Sequence, residues 1–393
     1  MNFALSDEQI ELARSARQIL AAECPMTRVR KIAETPAGHD PDLHRTFAQA
    51  GWLGILVPES LGGAGLALLD AAVLLGELGR ALAPGPFVVS SIGAVTALRT
   101  AGTRAQQEAW LPRIAAGDAI ATLAIAEGEE PRFDGLGVRA LAARAAGGAV
   151  LSGTKMFVEH APVADVLVSA FRTGRPSGED GFGGVGLFAV PARAKGVSVV
   201  PLVSIDETRR PCEVRFRGVR VADAEVLGAG RSKKAGANRP GGDASHALRR
   251  AMDACAIAIA AESLGGAERT LEAAVEYVKV REQFGRPVGS FQAVQHMAAE
   301  ALAQLEPARS LLWYAAWAFD ARPREAPLAA AMAKALCTDV FREISRTAIE
   351  MHGGIGFTWE HDLHFWFKRA LSNASAFGDA AFHRERVAAL SGF

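Results

Sequence analysis

Cysteine is scarce in this 393-residue chain, and the few present are scattered. Cys24, Cys212, Cys255 and Cys337 form no Cys-x-x-Cys pair. That spacing argues against a disulfide scaffold and a thiolate metal site, and it fits a reducing cytoplasm. Net charge is missing too, since 43 Lys and Arg balance 43 Asp and Glu. A chain that grips a phosphate backbone is normally basic, so nucleic acid is not an expected partner. No apolar run reaches the roughly 18 residues a membrane helix needs, so no membrane association is expected. The opening MNFALSDEQIELARSARQIL has no basic region before its apolar residues, and Ser6 to Gln9 interrupt them, so no secretory signal is read there. Familiar catalytic signatures are absent as well. There is no P-loop and no Gly-x-Ser-x-Gly elbow. Gly184-Val-Gly186 lacks the third glycine and the helix of a dinucleotide fingerprint, and reads as strand ends. His361 and His364 have no His-Glu-x-x-His context and read as surface or interface histidines, not ligands.

What is present is ordinary globular material, with 50% hydrophobic and 22% charged residues. At about 100–200 residues per domain, the length suggests two or three domains. Residues 1–118 read as helices. Ser6 is a natural N-cap with Asp7 and Glu8 behind it, and Ile10, Leu12, Ala13, Ala16, Ile19 and Leu20 follow at helical spacing. Further helices are expected over Asp70–Leu82, stopped by Pro84-Gly85-Pro86, and over Gln106–Ile114. Residues 119–228 change character. Cys212 to Arg217 alternate as a half-buried strand does, and Ala149–Leu151, Met156–Val158, Val166–Ala170, Val185–Val190 and Val197–Val200 are further strand candidates. No βαβ alternation occurs, so an antiparallel sheet or barrel is expected. Residues 229–244 form a glycine-rich basic linker. Helical patterns return over 245–393, broken at Gly285-Arg-Pro287, at Arg322 to Pro327 and at His352 to Gly356.

Two strings in this last region carry chemistry. In the first, Tyr277-Val-Lys-Val-Arg281-Glu-Gln283-Phe284-Gly285-Arg-Pro287-Val-Gly-Ser-Phe291-Gln292, a helix is expected to end near Phe284 and a new one to start near Ser290. Arg281 then sits at a helix end, where its guanidinium can reach a phosphate. In the second, Glu350-Met-His352-Gly353-Gly354-Ile-Gly356-Phe357-Thr358-Trp359-Glu360, glycines let backbone amides approach an anion, and a following helix start would favour negative charge. Either string alone also reads as a capped helix end.

Together, in this order after a helical and a β segment, the strings resemble the acyl-CoA dehydrogenase family. Ala50-Gly-Trp52-Leu-Gly-Ile-Leu-Val-Pro58-Glu59 with Gly62, Gly63 and Gly65 adds to the likeness. The resemblance implies an α+β multidomain fold: an N-terminal helical domain, a middle β-barrel-like domain and a C-terminal four-helix bundle. It also implies FAD, an acyl-CoA substrate dehydrogenated between C2 and C3, an electron-transfer flavoprotein as acceptor, and a dimer or dimer of dimers. Carried over residue by residue, it assigns Arg281, Gln283, Phe284, Gln292, Glu350, Gly353 and Gly354 to FAD binding. There they would reach the ADP half of a neighbouring subunit's FAD.

The reaction also needs a flavin-ring cradle and a carboxylate base, because the cofactor takes the hydride while the protein takes the proton. Both look altered. Where the family has Thr-Glu-Pro followed by Gly-Ser-Asp, this chain has Ala126-Glu127-Gly128-Glu129-Glu130-Pro131-Arg-Phe-Asp134. The family's Trp-x-Thr falls on Phe157-Val158-Glu159. The usual base position falls on Phe377, and the alternative one on Cys255. Asp379 and Asp253 lie two residues from these positions, and Glu262 about 10 Å along the helix from Cys255. The catalytic residue is therefore left unassigned. The pattern resembles the FAD-poor subunit of heteromeric steroid-side-chain acyl-CoA dehydrogenases. Two other readings stand beside it: a non-catalytic subunit that binds FAD or a CoA ester, and a flavin oxidase or monooxygenase on the same fold.

Overall fold

The computed structural model describes residues 4–228 and 244–393. The expected linker falls almost wholly on 229–243, outside the described residues. Helix α1 (Asp7–Glu23) starts at the capping box its sequence announces: Gln9 N donates to Ser6 Oγ at 3.3 Å, and Ser6 N donates to Gln9 Oε1 at 3.0 Å. Helices α2 (Met26–Glu34), α3 (Pro41–Gln49, capped by Asp40) and α4 (Leu68–Arg80) follow. After Pro84-Gly85-Pro86 comes a π-helical turn, Val88–Ala94, with all seven residues buried. No local pattern in the sequence marks it. It runs into α5 (Val95–Ala101), and α6 (Arg104–Ala115) follows.

The strands are β1 (Ala121–Ala124), β2 (Leu141–Ala145), β3 (Gly148–Glu159), β4 (Val166–Ser177), β5 (Gly183–Pro191), β6 (Val197–Pro201), β7 (Pro211–Ala222) and β8 (Val226–Leu227). They form one sheet in the order β6-β7-β3-β2-β4-β5-β8, with β1 also paired to β4. The sheet is mixed rather than purely antiparallel: β1 runs parallel to β4, and β2 meets β4 in parallel at Leu141 and Arg172. The crossover between β1 and β4 is made of loop and hairpin, not helix, so the missing βαβ rhythm hid it. The strand candidates at Ala149–Leu151 and Met156–Val158 are one strand, β3, whose register against β7 slips at Leu151/Gly153 and Lys155/Val158.

The C-terminal region comprises α7 (Ser245–Val280), the short hairpin β9 (Glu282–Gln283) and β10 (Arg286–Pro287), α8 (Gln292–Ala321), α9 (Ala326–His352), α10 (Leu363–Ser375) and α11 (Ala380–Leu390). Helix α7 thus ends four residues before Phe284, because the hairpin takes over. No helix among the described residues is long and apolar enough to cross a membrane.

By contacts the chain divides into two compact units. One comprises Met1–Lys31, Ala67–Ala83 and Ala256–Phe393; the other comprises Ile32–Leu66 and Pro84–Cys255. In the first, α4 and α7 meet backbone to backbone. A Cβ on Gly265 would lie 1.9 Å from Gly76 O, and one on Gly79 would lie 2.0 Å from Glu262 O, so no larger residue fits at this crossing. Ion pairs tie the neighbouring helices, with Arg17 donating to both carboxylate oxygens of the buried Glu77 at 2.8 and 2.7 Å. In the second unit, the sheet core centres on Phe171, whose ring meets Phe188 at 5.8 Å and Phe216 at 5.1 Å, both edge to face.

Candidate cofactor site

In the first unit, Tyr277 on α7 stacks on His352 at the end of α9, with ring centroids 4.3 Å apart and planes 20° from parallel. Val278, Ala348, Ile349 and Met351 are buried in the same cluster. His352 Nδ1 lies 2.8 Å from Ala348 O, which fixes the ring. This joint brings the two sequence strings together. One turn beyond Tyr277, Arg281 N donates to Tyr277 O at 2.9 Å and its side chain is exposed. The hairpin then turns at Phe284 (φ +54°) and Gly285 (φ +76°). A two-residue loop with both central residues left-handed suits glycine, but strains a phenylalanine. The Phe284 ring is nevertheless 93% exposed. Gln283 and Gln292 are exposed beside it, and Gln283 Nε2 donates to Glu282 O at 2.8 Å.

On the other side of the joint, Gly353 (φ +64°) ends α9, and a Cβ on Gly353 or Gly354 would meet nothing within 4 Å. The backbone is open to close approach. The expected helix start behind these glycines is absent: a short 3₁₀ turn follows, and α10 begins only at Leu363. Any anion affinity here therefore comes from bare amides and Arg281, not from an α-helix dipole. Glu350 points elsewhere, toward Arg346 at 3.5 Å on the same helix face. A guanidinium, side-chain amides, open backbone and an exposed flat ring form a donor set that fits a nucleotide diphosphate and its base.

The two positions that the resemblance gives for the base, Phe377 and Cys255, carry no carboxylate. Phe377 (φ +55°) sits in a loop gripped from three sides: Lys334 Nζ donates to Ala374 O at 3.0 Å and to Gly378 O, and His383 Nε2 lies 3.0 Å from Phe377 O. Burial pulls the Lys334 ammonium down to about 7 and the His383 imidazole to about 3, the latter with help from the Lys334 charge. Asp379, two residues beyond Phe377, caps α11 by accepting from Phe382 N at 2.8 Å, so its carboxylate already has a structural task. Cys255 is completely buried, and burial drives its thiol well above the ordinary range. Its sulfur would lie 2.6 Å from a Cβ on Gly93, so the thiol fills the space that glycine leaves. Asp253 is buried on the same helix. Glu262 is buried against Arg369 and Asn373.

In the second unit, the segment that the resemblance aligns with the flavin-ring contact is Phe157-Val158-Glu159. Phe157 (φ +56°) lies at the register slip of β3 and is 43% exposed. Glu159 Oε2 pairs with Arg209 Nη1 at 2.9 Å, and both side chains are nearly sealed from solvent. In the same unit, Glu127 accepts from the backbone amides of Arg139 and Ala140 at 3.0–3.1 Å and from Lys155 Nζ at 2.6 Å. Burial lowers the Lys155 ammonium to about 8, against the pull of Glu127. Among the described residues, no His, Cys, Asp and Glu cluster could hold a metal. The sequence could not pair Glu159 with Arg209; the only available signal was a carboxylate where a hydroxyl is usual.

The helical–sheet–helical order, with donors exposed on both sides of the Tyr277–His352 joint, is the architecture expected of an acyl-CoA dehydrogenase. The comparisons with known proteins sharpen this: the chain belongs to the acyl-CoA dehydrogenase family, whose members bind FAD. The family's N-terminal domain model matches residues 6–118, and its C-terminal domain model matches residues 246–391. Acyl-CoA dehydrogenase IpdE2 of Mycobacterium tuberculosis is 30% identical over 94% of this chain and 92% of that protein. The structure of a Tcur3481–Tcur3483 steroid ACAD variant superposes with a TM-score of 0.84 at 30% identity, covering 98% of both chains. The ChsE4–ChsE5 complex from Mycobacterium tuberculosis superposes at 0.86 with 28% identity, covering 100% of both chains.

The residues of this chain fit FAD unequally. The donor set at Arg281, Gln283, Gln292 and Gly353-Gly354 suits its ADP half. The Phe157–Glu159 segment does not suit its ring, because a carboxylate bound to a guanidinium offers the ring no donor.

Proposed function

We propose that this chain is the non-catalytic subunit of a heteromeric acyl-CoA dehydrogenase and completes the FAD site of a catalytic partner. The observation that carries this reading is the closed base position, with Phe377 where a carboxylate is needed and Cys255 sealed at the alternative. An α-proton has no acceptor at either position, so the chain is not expected to turn over alone. The open grip around Arg281, Phe284 and Gly353-Gly354 supports a role toward a cofactor held by another subunit. That the similar proteins include two described as a steroid ACAD and a two-component complex supports a bulky acyl-CoA thioester, such as a steroid side chain, as the partner's substrate. The partner passes its electrons to an electron-transfer flavoprotein. Arg281, Gln283, Phe284, Gln292, Gly353 and Gly354 would hold the ADP half. Glu350, turned to Arg346, would support the α9 end that presents the glycines.

The test is to purify the chain alone and together with co-expressed acyl-CoA dehydrogenase subunits. Flavin content is measured after denaturation, and acyl-CoA oxidation is followed with an artificial acceptor. The reading expects a colourless, inactive chain alone and a yellow, active complex. One tightly bound FAD per chain together with acyl-CoA oxidation by the isolated protein would refute it, and substrate-dependent oxygen consumption by the isolated protein would point to an oxidase instead.

A further inference from the structure

The resemblance aligns Glu159 with the flavin-ring segment, and the structure gives that carboxylate a buried partner. Three observations bear on its role. First, Glu159 and Arg209 lie 2.9 Å apart with side-chain exposures of 13% and 4%, so neither is a solvated surface charge. Second, the backbone around the pair is fixed: Thr122 Oγ1 donates to Glu159 O at 2.6 Å, and Phe157 holds a left-handed conformation two residues earlier. Third, the Glu159 charge adds to burial in raising the Cys255 thiol, so the carboxylate acts on the buried residue at the alternative base position.

We propose that Glu159, locked by Arg209, is the cofactor-specificity determinant that excludes an isoalloxazine ring from this chain's own middle domain. An oxidised isoalloxazine edge presents mainly acceptors, at N5 and the ring carbonyls. A hydroxyl can donate to them, whereas a carboxylate can only accept, so the two sets of lone pairs repel. The Arg209 guanidinium donates to Glu159 itself. Reduction of the flavin would add negative charge beside the same carboxylate and deepen the mismatch. This assignment rests on the heteromeric reading but is separable from it, because it names one residue whose exchange should create a site.

The experiment titrates FAD into the full-length chain and its variants, following flavin fluorescence and the shape of the 450 nm band. Glu159→Gln keeps the shape and replaces an acceptor with a donor. Phe157→Trp with Glu159→Thr rebuilds the ring contact more fully. The proposal expects Glu159→Gln to bind FAD about tenfold more tightly than the wild type, with the double variant tighter still and showing a resolved, ring-sequestered band. Circular dichroism and thermal melting establish folding; if the double variant does not fold, the isosteric Glu159→Gln decides the question. A folded Glu159→Gln that binds no more tightly than a colourless wild type overturns the lock and leaves the subunit reading intact. A wild-type chain that already carries about one ring-sequestered FAD overturns the lock, and acyl-CoA oxidation by that isolated chain overturns the subunit reading as well.

Discussion

Lys334 reaches across from α9 to hold Gly378 and Ala374 by their carbonyls, and that grip positions the loop bearing Phe377. A lysine with 0% exposure is costly to charge, which is why its ammonium titrates near 7 rather than 10.5. Between those two values the unfolded chain binds the extra proton and the folded chain does not. This group therefore makes stability rise with pH from about 7 to 10.5. Urea unfolding of the wild type at pH 7 and 9 should show that rise. Lys334→Met should flatten it and lower stability by about 1–3 kcal/mol, because buried carbonyls lose their donor. An unchanged slope would exclude Lys334 as its source.

His383 works the same way at lower pH. Its imidazole is depressed from 6.5 to about 3, so the unfolded state binds more protons across that window. The stability it contributes is present above pH 6.5 and lost as pH falls toward 3. His383→Gln should leave stability at pH 7 within about 1–3 kcal/mol of wild type and make the acid side shallower. Thermal melts from pH 4 to 7 would show it.

The Glu127–Lys155 pair is a stability element under the sheet. Glu127→Gln would leave the buried Lys155 without its counter-charge, and should destabilise the chain by about 3–5 kcal/mol. Denaturant unfolding measures this directly, and a loss below about 1 kcal/mol would mean the pair is better solvated than its burial indicates.

Arg281 and Phe284 should behave in the opposite way. Both are exposed, so Arg281→Ala and Phe284→Ala should change stability by no more than about 0.5 kcal/mol. In the co-expressed complex the same substitutions should lower the flavin content. A variant that melts early instead would mark these residues as structural.

Cys255 should resist thiol reagents in the native chain at pH 8, reacting only on unfolding, because both access and thiolate are denied to it. Reaction of all four thiols with a disulfide reagent before and after denaturant would count it, since Cys24, Cys212 and Cys337 are buried too.

Local rules were legible in the sequence. Ser6 with Gln9 announced the first helix, and the alternation from Cys212 to Arg217 lies inside β7. The parallel pairing of β1 with β4 was not legible, because register between distant strands leaves no local period. The site divides in the same way. Arg281, Phe284 and Gly353-Gly354 were visible as residue types at helix ends. The Tyr277–His352 stack that joins them is a contact between side chains 75 positions apart in number, and so are the Glu159–Arg209 and Lys334–Gly378 contacts at their own separations. The helix expected after Gly353 failed because three glycines signal an irregular backbone without saying which kind.

The buried π-helical turn at Val88–Ala94 changes how this chain can tolerate length variation. A π turn is, in effect, an α-helix carrying one surplus residue in its ladder. Removing a single residue there would relax the spiral to ordinary α geometry while the flanking residues kept their faces. The same deletion inside α4 would rotate everything on one side of it by about 100° and turn its buried face outward. The turn is thus a built-in slack in the chain, and the place where a one-residue deletion would be best absorbed.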